Sequence, residues 1–318
     1  MSSAVSTDRI EAAMGVISPE FLRSPQFVSD ALSTRLGVSL LCKVECLNPI
    51  RSFKGRGTDH LLHVLGDSTE TLVAASAGNF GQGLAYAGRA RHVPVVIFAS
   101  QHANPLKVER MRALGAEVHI AGEDFDAAKA AARAFASSQG WRYIEDGREP
   151  AISEGAGTIG LELAEWPQPI STLLVPIGNG ALIAGVGAWF KTFSPQTRII
   201  GVVASQAPSM QWSWQQRRVV TTPTADTIAD GIAVREPIAE ALDAMHPVID
   251  DIVAVSESEL LDAIRLAYDE LGILVEPAGA AGLAAVLRLR ESLRDQLAAT
   301  ILCGGNVTRE QAAKWFGD

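Results

Sequence analysis

The segment "RSFKGRG" at residues 51–57 places a single lysine, Lys54, between an aromatic residue and a glycine. A lysine that is partly removed from water loses its proton more readily, and it can then act as a base or form a Schiff base with an aldehyde. The simpler interpretation is a solvated side chain in a basic turn. Other segments of the chain decide between the two interpretations.

Three further segments combine small residues with a position directly after an apolar run. They are "SAGNFGQG" (76–83), "IGNGAL" (177–182) and "CGGN" (303–306). Free backbone N–H groups at a strand-to-helix turn favour an anion, such as a phosphate or a carboxylate. Each segment alone is also compatible with an ordinary tight turn.

Two nucleotide-binding interpretations fail. The dinucleotide fingerprint requires glycine at the sixth position of "GNGALI", where the chain has Ile183, and no Gly-Lys-Ser/Thr ends any of the loops as a P-loop would. A serine hydrolase is a remote alternative, because "AASAG" (74–78) approaches the nucleophile elbow G-x-S-x-G. Ser76 would then be the nucleophile and His246 the base, although Ala74 replaces the first glycine of the elbow.

The elements that must position these loops are strands alternating with helices. Short apolar runs such as "TLVAAS" and "STLLVPI" predict buried strands, and "NFGQGLAYAGRA" and "ALIAGVGAWFKTF" predict helices. Asn104 and Pro105 are typical of an N-cap and a first helical residue. The alternation predicts an α/β fold with parallel sheets covered by helices, and a ligand at the carboxyl ends of the strands.

Composition limits the classes of function. The chain has 318 residues, of which 47% are hydrophobic and 20% charged, as is typical of a globular enzyme with more than one domain. A net charge of -9 without a basic stripe argues against nucleic acid as a partner. The sequence shows neither a membrane span nor a signal peptide, so we expect no membrane partner and a cytoplasmic protein. Cys42, Cys46 and Cys303 are too few for a disulfide framework or a zinc site.

Six motifs, in their order and spacing, resemble the serine/threonine dehydratase family, whose pyridoxal-phosphate fold (fold type II) is shared with the tryptophan synthase β chain. The motifs are "SFKGRG", "SAGNFGQG", "PIGNGALIAG", "ADGIAV", "EPAGAAG" and "CGGN". The resemblance implies a two-lobed fold with pyridoxal 5'-phosphate between the lobes, and a homodimer. It further implies a large domain from residues 1–46 and 147–318 and a small domain from residues 47–146.

The resemblance also implies a role for each matching residue. Lys54 would form the Schiff base with the cofactor and later remove the α proton of the substrate. Asn79 would bond the cofactor's 3-hydroxyl, and Cys303 would face its ring nitrogen. The phosphate cradle would consist of Gly178, Asn179, Gly180, Ala181 and Leu182. The loop for the substrate carboxylate would consist of Ser76, Ala77, Gly78, Asn79 and Phe80. The residues assigned to shaping the site are Asp230, Gly231, Glu276 and Gly279.

The chain departs from the family pattern at the cradle and at the carboxylate loop. Asn179 and Ala181 replace two glycines of the cradle, which puts cofactor affinity in doubt. Phe80 replaces a histidine and can alter the shape of the substrate pocket.

Two further departures concern racemisation and metal. Serine racemases, which are relatives by this resemblance, carry an acid/base serine where this chain has Ala77. They bind a divalent cation in a segment where this chain offers Val203, Ala207 and Ser209, without either carboxylate. We therefore expect no racemisation and no metal at that site.

The function that the resemblance implies is a pyridoxal-phosphate-dependent ammonia-lyase, or dehydratase. By β-elimination it would convert a β-hydroxy amino acid such as L-threonine or L-serine to a 2-oxo acid and ammonia. A neutral group such as Cys303 at the ring nitrogen favours elimination over transamination. The alternative on the same fold is a β- or γ-replacement synthase of the threonine synthase or cysteine synthase type. The substrate side chain stays open, and a bulky or aromatic one is included.

Overall fold

The computed structural model describes residues 5–317. The ends of the predicted large domain, residues 1–4 and residue 318, lie outside the described residues. Among the helices of residues 5–317, none is both long and apolar enough to cross a membrane.

Two β-sheets form the framework of the described chain. The strands are β1 (Gln26–Val28), β2 (Ser39–Val44), β3 (Leu72–Ala75), β4 (Val95–Ala99), β5 (Glu117–Ile120), β6 (Arg142–Ile144), β7 (Thr172–Pro176), β8 (Arg198–Ala204), β9 (Asp251–Val255) and β10 (Leu297–Leu302). A six-stranded sheet has the order β1-β2-β10-β7-β8-β9, and a four-stranded sheet has the order β5-β4-β3-β6.

The strand pairs of both sheets are parallel, as predicted, apart from β1 with β2. The connection from Val28 to Ser39 is shorter than the dozen or more residues that a parallel crossover needs. The chain therefore turns back, and β1 becomes an antiparallel edge strand.

Thirteen α-helices flank the sheets within the described residues. They are α1 (Thr7–Ala13), α2 (Asp30–Leu36), α3 (Lys54–Val64), α4 (Asn79–Ala90), α5 (Pro105–Ala113), α6 (Phe125–Gln139), α7 (Pro150–Ala164), α8 (Ala181–Phe193), α9 (Ser209–Gln216), α10 (Ala239–Met245), α11 (Glu257–Leu271), α12 (Pro277–Leu289) and α13 (Arg309–Phe316). Helices α4 and α8 have the ends that the sequence predicts. The Asn104 side chain accepts the N–H of Leu106 and caps α5, which confirms the predicted start at Pro105.

Apolar side chains fill both faces of each sheet, because a parallel strand is covered by helices on both sides. Strands β3, β4 and β7 are buried along their whole length. The four-stranded sheet lies within the predicted small domain and the six-stranded sheet lies outside it. The domain boundaries after residues 46 and 146 stay a prediction.

A buried cluster of charges fixes the start of helix α3. The Arg56 guanidinium makes paired contacts with Glu45 (2.8 and 2.9 Å) and with Glu162 (2.7 and 2.9 Å). Lys43 also contacts Glu162, and all four side chains are buried. Two cations therefore balance two carboxylates. Glu162 belongs to α7 and Glu45 follows β2, so the cluster holds α3, and Lys54 at its first position, against both elements.

Candidate active site

A cavity of about 730 Å³ lies at the carboxyl ends of strands from both sheets. Ser76 follows β3, Asp146 lies just beyond β6, Gly178 beyond β7, and Cys303 directly after β10, and all four line it. The cavity brings together the whole set of predicted catalytic, cofactor-binding and substrate-binding residues. They are Lys54, Ser76, Ala77, Gly78, Asn79, Phe80, Gly178, Asn179, Gly180, Ala181, Leu182 and Cys303.

Lys54 projects its amino group into this cavity. The side chain is only 13% exposed, and its Nζ lies 2.6 Å from Oδ2 of Asp146. The same nitrogen lies 4.7 Å from the ring centroid of Phe53. Lys54 is therefore held in a partly apolar pocket by one carboxylate, and the interpretation as a solvated turn residue is wrong.

The loop from Ser76 to Phe80 has free backbone donors at a helix start. The Ser76 hydroxyl accepts the N–H groups of Gly78 (3.2 Å) and Gly81 (2.9 Å) and so fixes the turn. Helix α4 begins at Asn79, and the N–H groups of Asn79 and Phe80 in its first turn have no carbonyl of the same helix to donate to. Such donors suit a carboxylate.

The serine hydrolase alternative finds no support in this geometry. Within the described residues, the Ser76 hydroxyl has no hydrogen bond to a histidine. His246 stacks on Trp214, with ring centroids 6.3 Å apart, and does not line the cavity.

Asn79 joins the carboxylate loop to the segment before helix α12 and to the loop after strand β10. Its side-chain amide donates to Glu276, and its oxygen accepts from Nδ2 of Asn306 at 2.8 Å. An amide nitrogen carries two hydrogens, so one N–H of Asn79 stays available for a ligand. Burial raises the pKa of Glu276.

Lys107 is a buried lysine in the cavity wall, and the sequence did not reveal it. Its Nζ lies 2.6 Å from Oδ2 of Asp230 and 3.6 Å from Oε2 of Glu276. Burial opposes the charge of Lys107, but the carboxylates of Glu276 and Asp230 outweigh it and raise the pKa of the lysine. A charged lysine therefore ties helix α5 to the two acidic residues that were predicted to shape the site.

The remaining shaping residues are glycines at close contacts. An added Cβ at Gly231 would lie 2.9 Å from the Ala278 side chain. One at Gly279 would lie 2.4 Å from the carbonyl oxygen of Gly304. Gly279 does not line the cavity but allows helix α12 to approach the "CGGN" loop.

The cradle loop needs glycine at two of its positions. Gly180 has a φ of 87°, and an added Cβ at Gly178 would lie 2.6 Å from the carbonyl oxygen of Gly231. The backbone of Asn179 is not in the left-handed conformation, so asparagine is not strained there. Ala181 is the first residue of helix α8. The two departures from the family pattern therefore leave the backbone of the cradle intact.

Cys303 presents a neutral thiol to the cavity. The side chain is buried, and its Sγ lies 3.7 Å from the carbonyl oxygen of Ala278. Burial raises the pKa of this thiol, so it carries no charge at neutral pH. Cys42 and Cys46 are also free and buried.

Asp146 is a further functional candidate that the sequence did not reveal. It is 8% exposed, and its Oδ1 is buried without a hydrogen-bond partner in residues 5–317. Strand β6 has only three residues, so its apolar pattern is too short to predict a strand. Without that strand, no sequence pattern places Asp146 at the carboxyl edge of a sheet.

The segment predicted to lack a metal site is packed with apolar and small side chains. Val203 and Ala207 are buried, and Ser209 donates to the carbonyl oxygen of Val234 at 2.6 Å. Across residues 5–317 no cluster of three histidine, cysteine or acidic side chains is arranged to hold a metal ion. The absence of a metal requirement stays a prediction.

The residues present fit pyridoxal phosphate. A buried lysine can bond to its aldehyde, a glycine-containing loop at the start of a 13-residue helix can hold its phosphate, and a neutral thiol can face its ring. The carboxylate loop at the start of α4 lines the same cavity, where it can bind the carboxylate of an amino-acid substrate.

Comparisons with known proteins agree with this fit. The family described as pyridoxal-phosphate dependent enzyme matches residues 17–304. The L-threonine ammonia-lyase of Geobacter sulfurreducens is 36% identical over 283 residues, which cover 88% of this chain and 70% of that protein. The L-threonine ammonia-lyase of Thermotoga maritima is 33% identical over 305 residues, which cover 95% of this chain and 76% of that protein.

A solved structure has the same fold along nearly the whole chain. It is the processed form of threonine deaminase isoform 2 from Solanum lycopersicum, which is 30% identical and superposes with a TM-score of 0.89. The match covers 99% of this chain and 94% of that one.

Proposed function

The chain belongs to the family of pyridoxal-phosphate-dependent enzymes, and on that premise we propose that it is an ammonia-lyase acting on a β-hydroxy amino acid such as L-threonine or L-serine. The products are a 2-oxo acid and ammonia. The observation that carries the proposal is the position of Lys54 in one cavity with a carboxylate-binding loop and a phosphate cradle. The names of the relatives from Geobacter sulfurreducens and Thermotoga maritima support the substrate class.

The cofactor, when bound, supplies an aldehyde that bonds to amines and an aromatic ring that withdraws electrons from Cα of the substrate. The protein supplies the rest. The N–H groups at the start of α4 hold the substrate carboxylate, and Lys54 removes the proton from Cα. This lysine is only 13% exposed and lies beside Asp146 and Phe53, so its amine is largely shielded from water.

Binding of the cofactor phosphate falls to the loop of Gly178, Asn179 and Gly180 and to the first amides of α8. When the cofactor is bound, the free N–H of Asn79 and the neutral thiol of Cys303 would contact its ring. A neutral thiol would not keep a proton on the ring nitrogen, and electron withdrawal would then be limited to what elimination at Cβ needs.

A panel of amino acids tests the proposed reaction. We expect L-threonine or L-serine to give 2-oxo acid and ammonia in equal amounts when the purified protein carries pyridoxal phosphate. If no β-hydroxy amino acid released ammonia, and O-acetyl-L-serine were consumed only when sulfide was added, the protein would be a replacement synthase instead.

Replacing Gly180 with alanine is expected to weaken cofactor binding about tenfold to hundredfold. An alanine at φ 87° is strained, and its Cβ would lie 2.5 Å from Sδ of Met245. The loop then relaxes without ligand and must be forced back on binding, at a cost of about 1–3 kcal/mol, where 1.4 kcal/mol is tenfold in affinity. The measurement is a titration of the apoprotein with pyridoxal phosphate, followed by absorbance.

Gly140→Ala is the matched control. Gly140 has a φ of 67° at the end of helix α6, with open space around it and outside the cavity lining. It therefore carries the same backbone strain without touching the cradle. Equal affinity loss in both variants would mean that general destabilisation, and not the cradle, sets cofactor affinity.

The assembly and the location of the protein stay predictions. We propose a homodimer, as the family resemblance implies, and light scattering of the purified protein measures it directly. A cytoplasmic location is tested by fractionation of the cells that make the protein.

A further inference from the structure

We propose that Asp146 receives the Cβ oxygen of the substrate and delivers the proton with which this oxygen leaves as water. The inference rests on the proposed function, because it assigns a further residue to the same elimination. Three features of Asp146 support it: its contact with Lys54, its unpartnered oxygen and its fixed backbone.

The contact with Lys54 places Asp146 at the reacting atoms. Its Oδ2 lies 2.6 Å from Nζ of the lysine that acts at Cα. The leaving oxygen of a β-hydroxy amino acid is only two bonds from Cα. A carboxylate in contact with the base at Cα is therefore within reach of that oxygen.

The second carboxylate oxygen of Asp146 makes no hydrogen bond within the described residues. This oxygen, Oδ1, is buried. Buried polar atoms are nearly always paired, so an unpaired one at a cavity wall points to a missing ligand. A substrate hydroxyl suits this position, because it can donate to the carboxylate before the reaction and accept the proton when its oxygen leaves.

The adjacent acidic residue has a different role. Glu145 is paired with Arg133 at 2.6 Å, with Lys129 at 3.5 Å and with Arg148 at 3.4 Å. For Asp146, the ion pairs of the described residues include Lys54 alone. Asp146 is thus the carboxylate of this loop whose partner is the catalytic lysine.

The backbone beside Asp146 is fixed against the phosphate cradle. Gly147 has a φ of 92°, and an added Cβ there would lie 2.5 Å from the carbonyl oxygen of Asn179. A side chain at position 147 would not fit there, so the backbone next to Asp146 lies directly against the cradle residue Asn179.

The proton balance closes without a further reagent. Nζ of Lys54, as the unprotonated amine, takes the proton from Cα, and the electrons of the C–H bond form the new π bond between Cα and Cβ. The Cβ–O bond breaks, and its electron pair leaves with the oxygen. The oxygen takes a proton from the Lys54–Asp146 pair and departs as water. The pair gains one proton and loses one, so it returns to its starting state.

The test compares two leaving groups in the Asp146→Asn variant. L-serine and β-chloro-L-alanine give the same 2-oxo acid, but hydroxide needs a proton to leave and chloride does not. General acid catalysis contributes about 10²–10⁴-fold. We expect kcat/KM for L-serine to fall at least about 100-fold, and kcat/KM for β-chloro-L-alanine to fall less than about fivefold. If the wild-type protein prefers L-threonine, L-threonine and L-2-amino-3-chlorobutanoate, which both give 2-oxobutanoate, take the place of the two substrates.

Two controls separate a chemical role from a structural one. Glu149→Gln removes a carboxylate three positions further along, which pairs with Arg142 at 3.6 Å and does not line the cavity. It should leave both substrates unaffected. Titration of each apoprotein with pyridoxal phosphate, read by absorbance, should give the same affinity for Asp146→Asn as for the wild type.

Each other result overturns the inference. An equal loss with both substrates would make Asp146 a residue that only positions Lys54, and a loss of cofactor affinity would assign it to cofactor capture. Unchanged activity with L-serine would remove it from the reaction. Failure of the proposed function has a different signature, because the wild-type protein would then release no ammonia from any of the substrates.

Discussion

Replacing Lys54 with alanine is expected to reduce turnover of L-threonine and L-serine by at least about 10³-fold, since a general base alone contributes about 10²–10⁴-fold. The variant loses both the amine that bonds to the cofactor aldehyde and the base at Cα. The lysines that line the cavity are Lys54, Lys107 and Lys129. Lys107 is held by Asp230 and Glu276, and Lys129 by Glu145 and Asp126, so neither can replace Lys54.

Initial rates of 2-oxo acid formation measure this effect, with a saturating supply of pyridoxal phosphate. Lys314→Ala is the control, because Lys314 is exposed on helix α13 and does not line the cavity. Activity of the Lys54 variant within tenfold of the wild type would refute the assignment.

Replacing Arg56 with methionine is expected to lower the free energy of unfolding by about 3–5 kcal/mol. The substitution preserves much of the volume but leaves the buried carboxylates of Glu45 and Glu162 without their shared partner. Five N–H groups of Arg56 meet acceptors in this cluster, including Oγ1 of Thr158 at 3.0 Å. The cost therefore reflects uncompensated charge rather than a cavity.

Urea unfolding followed by tryptophan fluorescence and by far-ultraviolet circular dichroism measures the change. Arg198→Met serves as the matched control, because Arg198 pairs with Asp251 at 2.8 Å on the surface, where both side chains are about half exposed. An exposed pair of this kind contributes about 0–1 kcal/mol. An Arg56 variant as stable as the Arg198 variant would show that the buried cluster does not hold α3 in place.

The sequence was sufficient wherever the signal is local. Helix α4 begins at Asn79 and helix α8 at Ala181 as predicted, since a change from an apolar strand to small residues marks both starts. Asn104 caps α5 through its own side chain, which is a property of neighbouring residues. Gly178 and Gly180 likewise indicate a tight loop, because glycines close together in the sequence are a local signal.

The sequence was insufficient wherever a contact joins distant parts of the chain. Lys54 and Asp146 are 92 positions apart, and Lys107 and Asp230 are 123 apart, so no local pattern connects either pair. Strand β1 was not predicted, and its antiparallel pairing depends on the length of the connection to β2. Asp146 in particular depends on the three-residue strand β6 for its place in the cavity.

The chemical identity of the cofactor-bearing residue can be read from one peptide. The protein loaded with pyridoxal phosphate is reduced with borohydride, digested and analysed by mass spectrometry. The pyridoxyl group is expected on Lys54 within "SFKGRG", and it should be absent from the peptides with Lys107 and Lys129. A pyridoxyl group on either of those lysines, or on none of the three, would contradict the assignment of the active site.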